Sequence, residues 1–463
     1  MKRLFRTFVL TAAAAVSLTA AAQTPAGGID AAMLARIRSG YTGTPEQRAV
    51  RNALASNSIA TLAINAENLA MCDTHFSDRV PTTGITNQKS SGRCWLFTGL
   101  NVLRAQMIRE HNLGMFEFSQ NYCSFFDLLE KSNLFLQGII DTRELPLSDR
   151  KVEWLLHNPI GDGGQFTGVS NLIMKYGVVP KSAMPETFQS ENTSQMMRIL
   201  SLKLREQALE LRATKPAKTA ARKEEMLTEI YRILVSCLGD PPTEFEWTRY
   251  DKSGAKVSTA RYTPKSFYDT FVGAQLEQNY VMLMNDPSRE YYKVYEIEYD
   301  RHVYDGENWL YINLPIERIK EIAIASIKAQ TALYFSCDVG KFINRTDGTL
   351  DVANFDYDSL FGTTFGMDKK ARIETFASGS SHAMTLIAVD LDEQGTPKKW
   401  MVENSWGAAA GWQGNLIMTD EWFNEYMFRL VAERRFVPAD VLALLNRQPT
   451  LLPPWDPMFA PEE

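Results

Sequence analysis

Apolar positions recur at helical spacing through most of the first two thirds of the chain and at strand-like spacing later. Phe97, Leu100, Leu103 and Met107 follow a polar, Gly-containing loop, Gln88-Lys89-Ser90-Ser91-Gly92-Arg93. This pattern predicts a helix beginning at or next to Cys94. Residues 49–71 read as helical and 73–85 as extended. Ser119 is a candidate N-cap for another helix. Residues 169–176 form a helical run stopped by Gly177. Long helical runs at 193–213 and 219–238 flank a Lys-rich loop. Residues 245–250 and 257–262 predict a hairpin, and Thr263-Pro264 opens a further helix. Residues 316–330 are amphipathic. From 332 onward strands take over: 332–336, the apolar run headed by His382, and 399–404. A connection containing Gly395 suits an antiparallel hairpin between the last two. Helical patterns therefore dominate the earlier part of the chain, and strand patterns gather around His382.

Composition changes this picture little. The chain has 463 residues, 45% hydrophobic and 22% charged, enough for a large core and two or three domains. A formal net charge of -6 and the lack of long like-charge blocks give no nucleic-acid footprint. The N-terminus is more specific. Lys2, Arg3 and Arg6 precede a mainly apolar, Ala-rich run at 8–18, and Ala20-Ala21-Ala22 stands before Gln23. That is the pattern of a cleaved secretory signal peptide. The run is short of the roughly 20 apolar residues a membrane anchor needs. Residues 1–22 are therefore expected to be removed, leaving a periplasmic or extracellular protein without a stable membrane anchor. Of Cys72, Cys94, Cys123, Cys237 and Cys337, an exported protein could pair four and leave Cys94 free. They show no regular spacing, and the last three sit in apolar contexts that suit buried thiols. No metal is expected, because His-rich or paired-Cys spacing is lacking.

Candidate chemistry gathers at three places. A loop feeding a helix sets Cys94 at a helix N-terminus, where the dipole favours the thiolate, the nucleophilic form. Gln88, six residues earlier, carries an amide suited to an oxyanion. Ser380-Ser381 deliver His382 to the head of a strand, and the hairpin can bring Asn404 beside it. The Asn carbonyl can then accept from one imidazole nitrogen while the other faces Cys94. Trp406 could cover that bond from water. A buried cysteine opening an ordinary helix is the plain alternative for Cys94 alone. The order Cys, His, Asn argues for the catalytic one.

Gln-Lys-Ser-Ser-Gly-Arg-Cys-Trp-Leu-Phe resembles the nucleophile segment of papain-like cysteine peptidases. In its form here it is similar to the bleomycin hydrolase and aminopeptidase C family. Ser91 replaces the first cysteine of the papain signature, removing the disulfide partner common in secreted papain relatives. The resemblance implies an α+β, papain-like fold with a large helical and hairpin insertion between the Cys and His halves. The expected divisions are a signal peptide at 1–22, an arm at 23–48, the nucleophile half at 49–185, an insertion at 186–314, the β-rich half at 315–450 and a tail at 451–463. It implies an aminopeptidase acting on peptides, commonly a homohexamer, with no cofactor. Cys94 would be the nucleophile, His382 the base and acid, Asn404 the orienting residue and Gln88 the oxyanion donor. Gly163 and Gly164 match the glycine pair that lines the non-primed subsites. The Pro-rich tail matches the segment that lies in the cleft, which points to Glu463 as the group meeting the substrate's α-ammonium. The family is mostly intracellular, so export is a departure. An exported endopeptidase and a catalytically silent oligomeric binding protein on the same fold are the competing readings.

Overall fold

The computed structural model describes residues 27–41, 43–68 and 73–458. The segment expected as a signal peptide, Cys72 and Glu463 lie outside these residues. The chain divides into two compact units, residues 1–62 and 63–463.

In the first unit, helices Ala31–Ser39 and Pro45–Leu54 each begin at a side-chain cap. Thr44 and Gln47 exchange bonds as a capping box, with Pro45 in the first turn. The helix expected over 49–71 therefore starts earlier, and it also breaks. Asn57 donates to the Ala53 carbonyl and Ser58 accepts from the Thr61 N–H, and a new short helix runs Ile59–Ala63. Such local side-chain bonds compete with continuous helix.

The second unit packs helices against one large sheet. Six neighbouring antiparallel strands form its centre: Tyr280–Met284, Met427–Glu433, Leu333–Cys337, His382–Leu391, Pro397–Glu403 and Asn415–Thr419. Leu310–Asn313, Lys293–Ile297 and Thr450–Leu452 extend it beyond Tyr280–Met284. Residues 280–313 thus supply three strands to the sheet that carries His382, although they fall inside the stretch expected as insertion. What remains outside the sheet is helix Ser194–Ala213, helix Thr219–Leu238, the hairpin Phe245–Tyr250 with Lys256–Tyr262, and helix Pro264–Phe271. Leu200, Leu204 and Leu211 on one long helix and Met226, Ile230 and Leu234 on the other are buried at helical spacing. Their charged faces are paired, with Arg222 bonded to Glu210 and Glu225.

Helix Cys94–Glu110 crosses the unit between the sheet and helix Phe166–Tyr176. Its burial is nearly all-round: Trp95, Leu96, Phe97, Leu100 and Leu103 are each 1% exposed or less. Gly99 permits the close approach of the second helix, because a Cβ there would lie 2.6 Å from a Val169 methyl. Helix Gln120–Asp141, capped by Ser119 as expected, covers the other side. Two apolar clusters result, one under these helices and one within the sheet and helix Ile316–Lys328. Cys123 and Cys337 are buried in them, and burial pushes the Cys123 thiol up to about 12.

Candidate active site

The loop before Cys94 is held from several directions. The Gln88 N–H donates to the Ser405 carbonyl at 2.8 Å. The Ser405 hydroxyl donates to Gln88 Oε1 at 2.6 Å, and Gln88 Nε2 donates to the Ser91 carbonyl at 2.7 Å. One hydrogen of that amide is committed and the second is left for the cleft that Gln88 lines. Ser91 uses its hydroxyl to bond the Gln88 carbonyl and to accept from Arg93. Gly92 donates to Asp162 at 2.7 Å, and a Cβ there would lie 2.4 Å from the same carboxylate. Only glycine fits that approach. Arg93, 1% exposed, pairs with Glu186 at 3.0 Å and stands at the N-cap. Cys94 follows, half-buried, as the first residue of the helix.

His382 opens its strand directly after Ser381, whose N–H is bonded to the Cys337 carbonyl at 2.9 Å. The hairpin forms as expected. Asp392 accepts from Gln394 and Thr396, and Gly395 takes φ +83° at the turn. Thr385 faces Glu403 and Leu386 faces Val402. Continued outward, this register sets His382 opposite Trp406. Their rings lie 5.0 Å apart at 30°. His382 Nε2 meets Asn404 Oδ1 at 2.8 Å, both residues being buried, and Oδ1 also accepts the Ser405 N–H. The remaining imidazole nitrogen, Nδ1, is the one available to another group. Burial pushes the His382 imidazole down to about 4; the Asn404 bond opposes this and the Arg345 charge adds to it.

A cavity of about 680 Å³ brings Gln88, Cys94, Gly163, Gly164, His382 and Met458 together. Both glycines line it, for different reasons. A Cβ on Gly163 would meet nothing within 4 Å, so that position is open to a ligand. A Cβ on Gly164 would stand 2.3 Å from His302 and 2.8 Å from Trp95. Gly164 is required by packing whatever binds in front of it.

The packing behind that loop was not legible in the sequence. His302 Nδ1 bonds Asp127, and Lys131 bonds the other Asp127 oxygen at 2.8 Å. Burial pushes the Asp127 carboxyl up, but Lys131 and His302 hold it below the usual carboxylate range. Burial and Lys131 keep the His302 imidazole low. Lys131 also donates to the carbonyls of Gly161 and Gly163 at 2.9 and 2.6 Å. Trp95 meets the His302 ring edge-on at 4.7 Å and donates to the Asp162 carbonyl at 2.8 Å. The residue after Cys94 is thereby locked to the glycine loop. Met458, 3% exposed, lines the same cavity, and its carbonyl accepts from Arg429 at 2.6 Å. The tail therefore enters the cleft as far as the described residues go.

Residues 28–459 match the model of the Peptidase C1-like family. The chain belongs to the Peptidase C1-like family. It is 38% identical to human bleomycin hydrolase over 449 residues, 94% of this chain and 98% of that one. It is 38% identical to aminopeptidase C of Lactobacillus delbrueckii subsp. lactis, covering 90% and 94% of the two chains. The crystal structure of PepW from Lactobacillus rhamnosis HN001 superposes with a TM-score of 0.90 at 37% identity, over 94% of this chain and 99% of the other. The fold is the papain-like α+β fold of that family, and the chain is a cysteine-type aminopeptidase.

Proposed function

We propose that Cys94, His382, Asn404 and Gln88 carry the peptidase chemistry. The observation that supports this most directly is the His382–Asn404 bond of 2.8 Å in the cavity that Cys94 opens into. Asn404 orients the imidazole, so Nδ1 takes the Cys94 thiol proton. The thiolate, favoured at the helix N-terminus, attacks the peptide carbonyl carbon and forms a tetrahedral oxyanion. The second hydrogen of Gln88 Nε2 stabilises that oxygen. The imidazolium then gives its proton to the leaving amine, which departs as a shortened peptide and leaves a thioester on Cys94. Water, losing a proton to His382, attacks the thioester. The N-terminal amino acid leaves as its carboxylic acid, and the thiol is restored.

The tail limits the substrate to one residue on the non-primed side. Met458 in the cavity supports this reading, and Glu463 is proposed to offer a carboxylate to the α-ammonium. Gly163 is the proposed backbone contact on that side. The test compares free and N-acetylated peptides before and after deletion of residues 459–463. Weaker preference for the free N-terminus after deletion is the expected result. Unchanged preference would remove Glu463 from the mechanism.

Assembly into a homohexamer and export with cleavage near Gln23 complete the proposal. Sedimentation and N-terminal sequencing of native protein test them. Among the described residues no helix is long and apolar enough to cross a membrane.

A further inference from the structure

Among the described residues, two carboxylates line the active-site cavity, Asp162 and Asp300. They differ in how their oxygens are used. Asp162 Oδ2 accepts from the Gly92 N–H and from the Thr193 hydroxyl, so it is spent on the loop before Cys94. Asp300 Oδ2 is out of solvent and has no hydrogen-bond partner among the described residues. A buried carboxylate oxygen without a donor is costly unless something else supplies one, and the residue that carries it lines the cavity.

The two nearby cations do not supply it by hydrogen bonding. Arg429 donates to the Gln165 side chain and to the Met458 carbonyl. Lys131 spends its donors on Asp127, Gly161 and Gly163. Their charges still act at a distance. Burial pushes the Asp300 carboxyl up to about 6, and Arg429 and Lys131 hold it from rising further. Asp300 is therefore mostly anionic at neutral pH. Cys94, Tyr334, Arg429 and Asp300 line the same cavity, Tyr334 being buried. Arg429 in turn holds Met458. Asp300 thus lies on the wall shared by the nucleophile and the entering tail.

We propose that Asp300 is a specificity-determining residue that accepts a hydrogen bond from a primary ammonium of the substrate seated at Cys94. The proposal rests on the peptidase reading of Cys94 and adds an anion on the cavity wall to the carboxylate proposed for the tail. The ammonium has two possible sources in a peptide, the α-ammonium of the N-terminal residue and the side chain of an N-terminal lysine. A single unpartnered carboxylate oxygen suits any primary ammonium that reaches it.

The test uses full-length enzyme, wild type and Asp300→Asn, on matched peptides. One pair differs only in the N-terminal ammonium, present or replaced by hydrogen. The second pair carries lysine or norleucine at the N-terminal position. Asp300→Asn should lower kcat/KM for the ammonium member of at least one pair about tenfold or more, and leave the other member of that pair unchanged. The affected pair identifies which ammonium is bound. Asp300→Glu should retain most of the discrimination, because the charge is kept. Equal loss on all four peptides, or loss on none, overturns the proposal. The peptidase reading fails separately, if wild-type enzyme cleaves none of the four. Circular dichroism of Asp300→Asn distinguishes lost folding from lost recognition. Should that variant not fold, Asp300→Glu that folds yet discriminates neither pair also overturns it.

Discussion

Arg104 on the Cys94 helix and Glu403 on the Asn404 strand form an ion pair at 2.6 Å, with side chains 4% and 1% exposed. One is ten residues past Cys94, and the other immediately precedes Asn404, which bonds the His382 imidazole. Arg104 also donates to the Gly84 carbonyl at 3.0 Å. The pair therefore ties the helix that presents the thiol to the strand that presents its partner. Arg104→Met should leave Glu403 as a buried, uncompensated charge and cost about 3–5 kcal/mol in denaturant unfolding. The double replacement Arg104→Met/Glu403→Gln should cost markedly less. A double variant as unstable as the single one would show that packing, and not charge, sets the loss.

Cys94→Ala removes one sulfur from a half-buried position and should abolish peptide cleavage with folding intact. His382→Ala should be nearly as severe, because it removes the proposed proton acceptor. Asn404→Ala should cost less, since it disturbs orientation only. Single-turnover rates on one peptide rank the three. Wild-type cleavage by Cys94→Ala would reject the nucleophile.

Those three residues were legible because each sits at the end of an element whose pattern is local. A polar loop before an apolar helix marks Cys94. A two-strand run with a Gly-containing connection marks His382 and Asn404, and the pairing of Thr385 with Glu403 follows from it. Ser405 was overlooked beside Asn404, though its hydroxyl holds Gln88. The cluster of Asp127, Lys131 and His302 left no such trace. It joins a helix to a loop 175 positions away, and no period or spacing records a contact made only by tertiary packing. The sheet was misjudged for a related reason. Its strands at 280–313 lie far from His382 in sequence, and one of them pairs in parallel with another of the three, so no hairpin signal connects them to the β-rich half.

The acid limb of reactivity should report Arg345. Its guanidinium lies 4.9 Å from the Trp406 ring, and its charge lowers the His382 imidazole. Arg345→Gln removes that charge, so His382 should protonate at higher pH. The limb at which iodoacetamide labelling of Cys94 falls should then move to higher pH. An unmoved limb, or one moved lower, contradicts the assignment. The same residue affects stability. His382 titrates near 4 in the fold against an ordinary 6.5, so the unfolded chain binds its proton first. Stability should fall as pH drops from 6.5 towards 4 and be unaffected by this group above that range.

The glycine pair should separate packing from binding. Gly164→Ala drives a methyl into His302 and Trp95, both buried, and should cost about 1–3 kcal/mol while lowering kcat through Trp95. Gly163→Ala adds a methyl to open space. Its unfolding midpoint should match wild type, and its effect should fall on KM for peptides. A stability loss as large at Gly163 as at Gly164 would contradict the distinction.

The tail has its own anchors before the cleft. The Leu452 carbonyl accepts from Glu298 at 3.0 Å, and Arg150 stacks on Trp455 at 4.4 Å. Asp456, 4% exposed, pairs with Arg289 and accepts the Met458 N–H at 3.2 Å. Burial pushes the Asp456 carboxyl up, and Arg289 opposes that. Asp456→Ala removes both of these bonds at once, leaving Met458 held by Arg429 alone. Arg289 keeps Asp286 as a partner at 3.1 Å, so the body of the protein should tolerate the change. With Met458 less firmly seated, the non-primed side of the cavity should open to longer chains. The expected outcome is a gain of several-fold in cleavage of N-acetylated peptides, with cleavage of free peptides falling less than that. Mass spectrometry of the products should show cuts inside the chain as well as after its first residue. Products confined to single released residues, with blocked peptides still resistant, would mean that the tail does not set the length limit and that the cavity wall does.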